Sequence, residues 1–350
     1  MAHIVDRLLA SDEPAIRWKV RRQVLLEDPD SRGMRQLRRA VRDSPLVRAL
    51  LAGQTERSTY AKWTGRHWVL ITLADIGYPP HDPELEPIVA KTMATWLAPH
   101  YFAEYETQRK TNARAVPVMN GRHRRCGSQQ GGALFAAVRL GLAAPESDQL
   151  VERLLAWQWP DGGWNCSLKP AAASSSVYET LLPMRGLAAY ADARQDDDAR
   201  RACDRAAEVL LTRRLLFRRS TGAIIRTEWT KLHYPVYWYY DVLAAAKGLM
   251  EAGHLNDDRS SDGLDMLEAK QLPGGGWAAE ARYYRSPGTS GNQDVVDWGG
   301  AKTKQMNEWV TADTLAVLRA AGRALSNATA SSNAAGVEQR NWRRAAPGPH

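Results

Sequence analysis

Leu, Ala and Val recur at three- and four-residue spacing through most of the 350-residue chain, and turn residues interrupt the recurrence at intervals. That spacing predicts amphipathic α-helices. Convincing period-two runs of the kind that mark β-strands are absent, so an all-α fold is expected. Helices that read as outer ones end near Leu51, Leu97, Ala156, Arg213 and Ala269. Helices that read as inner ones begin near Pro14, Lys62, Cys126, Ser176, Val236 and Trp309, behind turn-forming residues such as Ser11-Asp12-Glu13, Asn120-Gly121 and Ser174-Ser175-Ser176. The ends lie roughly 45 to 60 residues apart, the length of one helical hairpin. About six hairpins of this kind are expected to close into a single α/α toroid over residues 1–325, an inner ring of helices inside an outer one. Residues 326–350 hold Ala, Ser, Asn, Gly and Pro with two arginines and no core-forming pattern, and read as a disordered tail. The Gly-, Ser- and Asp-rich stretch 281–305 reads as a long loop before the last inner helix, either a rim of the cavity or a plain connector.

Two segments repeat each other. Leu154-Leu-Ala-Trp-Gln158-Trp-Pro-Asp-Gly162-Gly-Trp164 and Leu267-Glu-Ala-Lys-Gln271-Leu-Pro-Gly-Gly275-Gly-Trp277 share Leu, Ala, Gln, Pro, two Gly and Trp, seven identities in eleven positions. A degenerate third copy starts at Leu50-Leu-Ala-Gly-Gln54. In each full copy Pro and Gly-Gly stop the helix and permit positive φ, and the Trp that follows can pack back over the broken end. The Gln amide can satisfy orphan groups at neighbouring helix ends.

The spacing Gln-x3-Gly-x-Trp resembles the QW repeat of squalene-hopene and oxidosqualene cyclases. The chain as a whole is similar to bacterial squalene-cyclase-like and prenyltransferase-like proteins. That likeness runs through Asp12-Glu-Pro-Ala-Ile-Arg-Trp18, Lys62-Trp-Thr64, Pro160-Asp-Gly-Gly-Trp-Asn-Cys166, Tyr239-Tyr-Asp-Val-Leu243 and Trp309 to Leu318, and covers roughly residues 10–325. The resemblance implies the toroid of the terpenoid-cyclase and protein-prenyltransferase superfamily. It also implies an elongated apolar ligand, an isoprenoid, with an anionic head group in a central cavity. Cyclisation or prenyl-type transfer would be the chemistry. A non-catalytic toroid that has lost the acid motif is the alternative, because one fold serves several functions.

The departures are specific. The Asp-x-Asp-Asp motif of class II cyclases is missing; the nearest cluster, Asp196-Asp197-Asp198, lies in a polar turn. The Asp-x-Cys pair that helps bind zinc in prenyltransferase β subunits does not occur around Cys126, Cys166 or Cys203, so neither a metal nor another cofactor is expected. Three scattered cysteines make no disulfide framework, and the N-terminus lacks the apolar core of a signal peptide, which points to a reducing cytoplasm. No apolar run reaches the roughly 18 residues of a membrane helix. The net charge of +8 suits an anionic ligand or peripheral contact with an anionic membrane surface. Nucleic acid binding is not expected, because the basic residues form no dense patch interleaved with aromatics.

Asp241 is the first catalytic candidate. A helix from Val236 would pack Tyr239, Val242, Leu243, Ala246 and Leu249 outward and turn Tyr237, Tyr240 and Asp241 into the lumen, where a buried acid among π faces suits carbocation chemistry. A structural Asp bonded to hydroxyls or to an Arg competes with that role. Glu179 fits a capping box with Ser176, and Asp313 suits the first turn of the last inner helix; either would otherwise be a lumenal acid. Trp63, Tyr178, Trp238 and Trp309, with Tyr237 and Tyr240, are expected to line the ligand path. Arg66 and His67 stand among the basic residues at inner-helix starts, where helix N-termini favour anions. Cys126-Gly-Ser-Gln129 also resembles the Cys-Gly-Glu-Gln of thioester domains, though a buried structural thiol is the simpler reading.

Overall fold

The computed structural model describes residues 2–54, 58–110, 115–286 and 292–323. The tail read at 326–350 lies outside them. Helix dominates: α1 (Ala2–Leu9), α2 (Pro14–Lys19), α3 (Arg32–Arg42), α4 (Pro45–Ala52), α5 (Arg66–Ile76), α6 (Glu86–Trp96), α7 (Gly127–Arg139), α8 (Pro145–Trp157), α9 (Val177–Arg194), α10 (Asp197–Leu211), α11 (Val242–Ala252), α12 (Ser261–Ala269) and α13 (Glu308–Ala320). The starts follow local chemistry. Side chains of Glu13, Ser31, Ser44, Asp196, Asp241 and Asn307 accept the orphan amides at the N-termini of α2, α3, α4, α10, α11 and α13. The acidic cluster at 196–198 is therefore the cap and first turn of α10.

The helices alternate in their contacts. In sequence α2, α5, α7, α9, α11 and α13 touch one another in turn, and α13 returns to α2 and to the π-helical turn Val20–Val24. Between them α6 packs on α5 and α7, α8 on α7, and α10 on α9 and α11. α7 packs tightly on α9, where a Cβ on Gly131 would stand 2.3 Å from the backbone nitrogen of Pro183.

The two repeats are built alike. The indole of Trp164 donates to the carbonyl of Leu154 at 3.0 Å, and that of Trp277 to Leu267 at 2.6 Å. The backbone amides of the same two residues donate to Thr180 and Thr311 hydroxyls, at 3.3 and 2.9 Å. Gly162 and Gly275 hold φ of 97° and 80°, a left-handed turn that any side chain would strain. Each Trp plugs the end of the helix before it, α8 or α12, and its carbonyl accepts from the N-cap amide of the next helix, Ser176 or Asn307. Gln158 donates to Gly162 and to Ala202 of α10, both at 2.7 Å, so it ties one hairpin to the next.

Three expectations need correction. A small sheet exists: β1 (Glu104–Glu106) pairs parallel with β2 (Val116–Met119), which pairs antiparallel with β3 (Arg122–His123). Its strands are two to four residues long, too short for a period-two signal. The helix read from Val236 starts at Val242, because Asp241 caps it and Tyr237 takes φ of 49°. Tyr239 therefore does not belong to an outward stripe; it stacks on Tyr283 at 3.9 Å. The helix read from Lys62 starts at Arg66.

Candidate functional site

Seven side chains from α2, α5, α9, α11, α13 and the loop before α11 converge in one polar cluster. Asp75 Oδ1 accepts from Lys247 at 2.7 Å and Arg185 at 2.9 Å, and Oδ2 from Lys19 and the Tyr234 hydroxyl, both at 3.2 Å. Asp313 is clasped by Lys19 at 2.6 Å and Lys247 at 2.9 Å, and Arg185 also holds Glu251. Burial alone would raise the Asp75 pKa, but Lys19, Lys247 and Arg185 outweigh it and hold the carboxyl well below its usual range. Asp313 is thus one arm of a buried ionic lattice rather than a dipole partner at a helix end.

Asp241 is spent as well. It is fully buried; Oδ1 accepts from the Ala244 amide at 2.7 Å and Oδ2 from the His233 amide at 2.9 Å, with His233 Nδ1 at 2.7 Å. These partners make it a cap that also anchors the preceding loop, and leave no face for a substrate.

Glu179 differs. It makes no capping box, since the Ser176 side chain caps nothing. Its Oε2 accepts from the Ser128 amide at 3.1 Å and hydroxyl at 2.7 Å, across to the first turn of α7. Its Oε1 accepts from Trp238 Nε1 at 3.2 Å and lies 3.6 Å from the Cys166 sulfur. Cys126, the N-cap of α7, hydrogen-bonds Cys166; that bond first, then burial, then Glu179, push the Cys126 thiol well above its ordinary pKa. Only the backbone links Cys126 to Gln129, whose amide N–H donates to the Cys126 carbonyl at 3.1 Å; the Gln129 side-chain oxygen accepts from Arg125 instead. Burial, followed by the charges of Glu179 and both cysteines, raises the pKa of the neighbouring Tyr60 phenol. Sequence spacing could not pair Cys126 with Cys166, forty positions on; only the turn after Trp164 brings them together.

An aromatic row crosses the same end of the molecule. Trp229 meets Tyr178 edge-on at 5.8 Å, Tyr178 stacks on Trp238 at 4.8 Å, Trp238 meets Tyr239 at 5.9 Å, and Tyr239 stacks on Tyr283. Tyr178, Trp238, Tyr239 and Tyr283 are all half-buried, so their faces reach solvent. The Lys62 ammonium sits 5.4 Å from both the Trp63 and Trp238 rings. Trp63 lies beneath, stacked on Tyr237 at 4.4 Å, and Tyr237 donates to Asp294 of the long loop, whose carboxyl is raised by burial. That loop therefore packs onto the row as a rim.

The other expected ligand residues sit elsewhere. Tyr240 is buried and donates to the Leu215 carbonyl at 2.7 Å. Trp309 stacks on Tyr234 at 4.9 Å. Arg66 donates to Thr59 at 2.8 Å. His67 is neutral, its pKa lowered to about 3 by burial, and accepts from Trp96 at 3.3 Å.

At the Trp229 end the row enters a cleft of about 750 Å³ lined by Ser174, Ser175, Ser176, Arg213, Arg218, Arg219 and Arg226, with Tyr178 and Trp229 as aromatic wall. Arg218, Arg219 and Arg226 are exposed, and among the described residues no side chain pairs with their guanidinium groups. Burial, and behind it the like charge of Arg219, lowers the Arg213 pKa, against the pull of Asp161. Among the described residues no helix is long and apolar enough to cross a membrane. No protein-family model, no curated protein and no solved structure matches the chain.

Proposed function

We propose that the chain is an α/α toroid that binds an elongated apolar ligand with an anionic head, of isoprenoid diphosphate type, across one end of its helical ring. The cycle of contacts from α2 through α13 and back supports the ring, with α6, α8 and α10 in its outer layer. The observation that carries the ligand reading is the cleft of unpaired arginines opening onto the half-buried row Tyr178, Trp238, Tyr239 and Tyr283. Guanidinium groups and serine hydroxyls suit a diphosphate, and stacked π faces suit an unsaturated chain. The site of this reading is the aromatic end, where the half-buried row and the arginine cleft meet.

Cyclisation started by Asp241 has lost its support, since Asp241 caps α11 and Asp313 is held by two lysines. Binding is the function the geometry favours, and Glu179 is the acid left beside the row. Titration of tryptophan fluorescence with farnesyl diphosphate tests it. Saturable quenching is expected, with inorganic diphosphate competing. The double change Arg218→Ala and Arg226→Ala is expected to weaken binding by about tenfold or more at unchanged far-ultraviolet circular dichroism. Absence of saturable binding, or equal affinity in the double variant, would refute the assignment.

A further inference from the structure

We propose that Cys126, Cys166 and Glu179 form a three-ligand site for one zinc ion, with its fourth position facing the aromatic row. The ligand atoms of the three residues lie within 4.8 Å of one another. A tetrahedral zinc at about 2.3 Å from sulfur and about 2.0 Å from a carboxylate oxygen separates those ligands by about 3.5 Å. The Cys166 sulfur and Glu179 Oε1 are 3.6 Å apart. Binding thus needs little movement of that pair.

The surroundings are those of a supported ligand set. Glu179 is 3% exposed, and its second oxygen is fixed by the amide and hydroxyl of Ser128 while Trp238 orients the first. A carboxylate held by outer donors points one lone pair in a set direction. Each ligand has its own rigid mount. Cys126 stands at the N-cap position of α7, Glu179 in the first turn of α9, and Cys166 follows the Gly162–Trp164 turn that the repeat locks. Cys126 and Cys166 are only half-buried, which leaves an approach for the ion and then for a fourth ligand. Charge also balances. Two Zn–S bonds form as two thiol protons leave to solvent, so zinc with two thiolates and one carboxylate carries one negative charge. Arg125, beside Cys126 and within electrostatic reach of all three, supplies the opposite charge. The metal test is distinct from the ligand test, because Arg218 and Arg226, which carry the latter, take no part in holding the ion.

The test uses the full chain, stripped with chelator under reducing conditions and reloaded. One zinc per chain by elemental analysis is expected. Cobalt(II) in its place should give an intense near-ultraviolet sulfur-to-metal charge-transfer band. Zinc should also protect Cys126 and Cys166 from alkylation, read residue by residue by mass spectrometry on the unaltered protein. Cys126→Ser and Cys166→Ser should each abolish the cobalt band, while Cys203→Ser, whose thiol bonds the Met184 carbonyl in α9, should keep it. Ser128→Ala should keep the metal at about 10–100-fold lower affinity, as loss of an outer-shell partner does. A cobalt spectrum without the thiolate band, or alkylation of both cysteines unchanged by zinc, overturns the proposal without reliance on any variant folding. Equal metal content in both cysteine variants overturns it as well.

Discussion

Asp75→Asn is expected to lower the free energy of unfolding by about 3–5 kcal/mol, the cost of breaking a buried ion pair on one side. The carboxylate accepts from Lys247, Arg185, Lys19 and Tyr234, which come from four separate segments. An amide keeps the shape but leaves the three cations facing one another with Asp313 and Glu251 as their remaining anions. The pH dependence follows from the same charges. The folded pKa of Asp75 is depressed, so its stabilisation is complete above the ordinary carboxyl value of about 3.9 and disappears as pH falls toward the folded value. Glu251 shifts the same way: burial opposes, but Arg185 outweighs it. Wild type should therefore lose stability steeply below about pH 4, and the Asn variant less steeply. Urea unfolding followed by circular dichroism between pH 3 and pH 7 reads both. A loss under about 1 kcal/mol would mean that the lattice is solvated in solution.

Trp164→Ala and Trp277→Ala should each cost about 3–5 kcal/mol, the range for emptying a large buried aromatic site. Both rings are essentially unexposed, at 1% and 0%. Each seals the end of α8 or α12 and donates to a carbonyl ten residues back. Alanine would leave a cavity between two hairpins and remove the indole donor from the Leu154 or Leu267 carbonyl. Phenylalanine keeps most of the bulk and should cost the bond plus a small void, about 1–2 kcal/mol. Because the two settings match down to the threonine hydroxyl under each amide, the two alanine variants should agree within about 1 kcal/mol. A large effect at one Trp with almost none at the other would contradict the equivalence of the repeats.

Helix ends were the part of the fold most open to reading from local sequence. The helices read as outer end within two residues of Leu51, Leu97, Ala156, Arg213 and Ala269, at Ala52, Trp96, Trp157, Leu211 and Ala269. Caps, Pro and Gly-Gly act within a turn of the chain, so their signal is local. Where the reading failed, the deciding residue served two purposes. Asp241 looked like part of a helical face, but its side chain caps that helix and anchors His233 eight positions back. Glu179 looked like a capping box by spacing, but its partners are Ser128 and Trp238 on other segments.

By itself the sequence determined a helix-rich chain, its two matched turns at Trp164 and Trp277, and most hairpin boundaries, because all of these rest on contacts within about ten residues. It could not determine which charges converge. The charges of Lys19, Asp75, Arg185, Lys247 and Asp313 sit in five helices with no shared motif, and only packing brings them within ion-pair distance. The same holds for the thiols of Cys126 and Cys166, for Glu179, and for the arginine cleft beside Tyr178. Each is a convergence of segments far apart in the chain, and side-chain spacing carries no record of such distances.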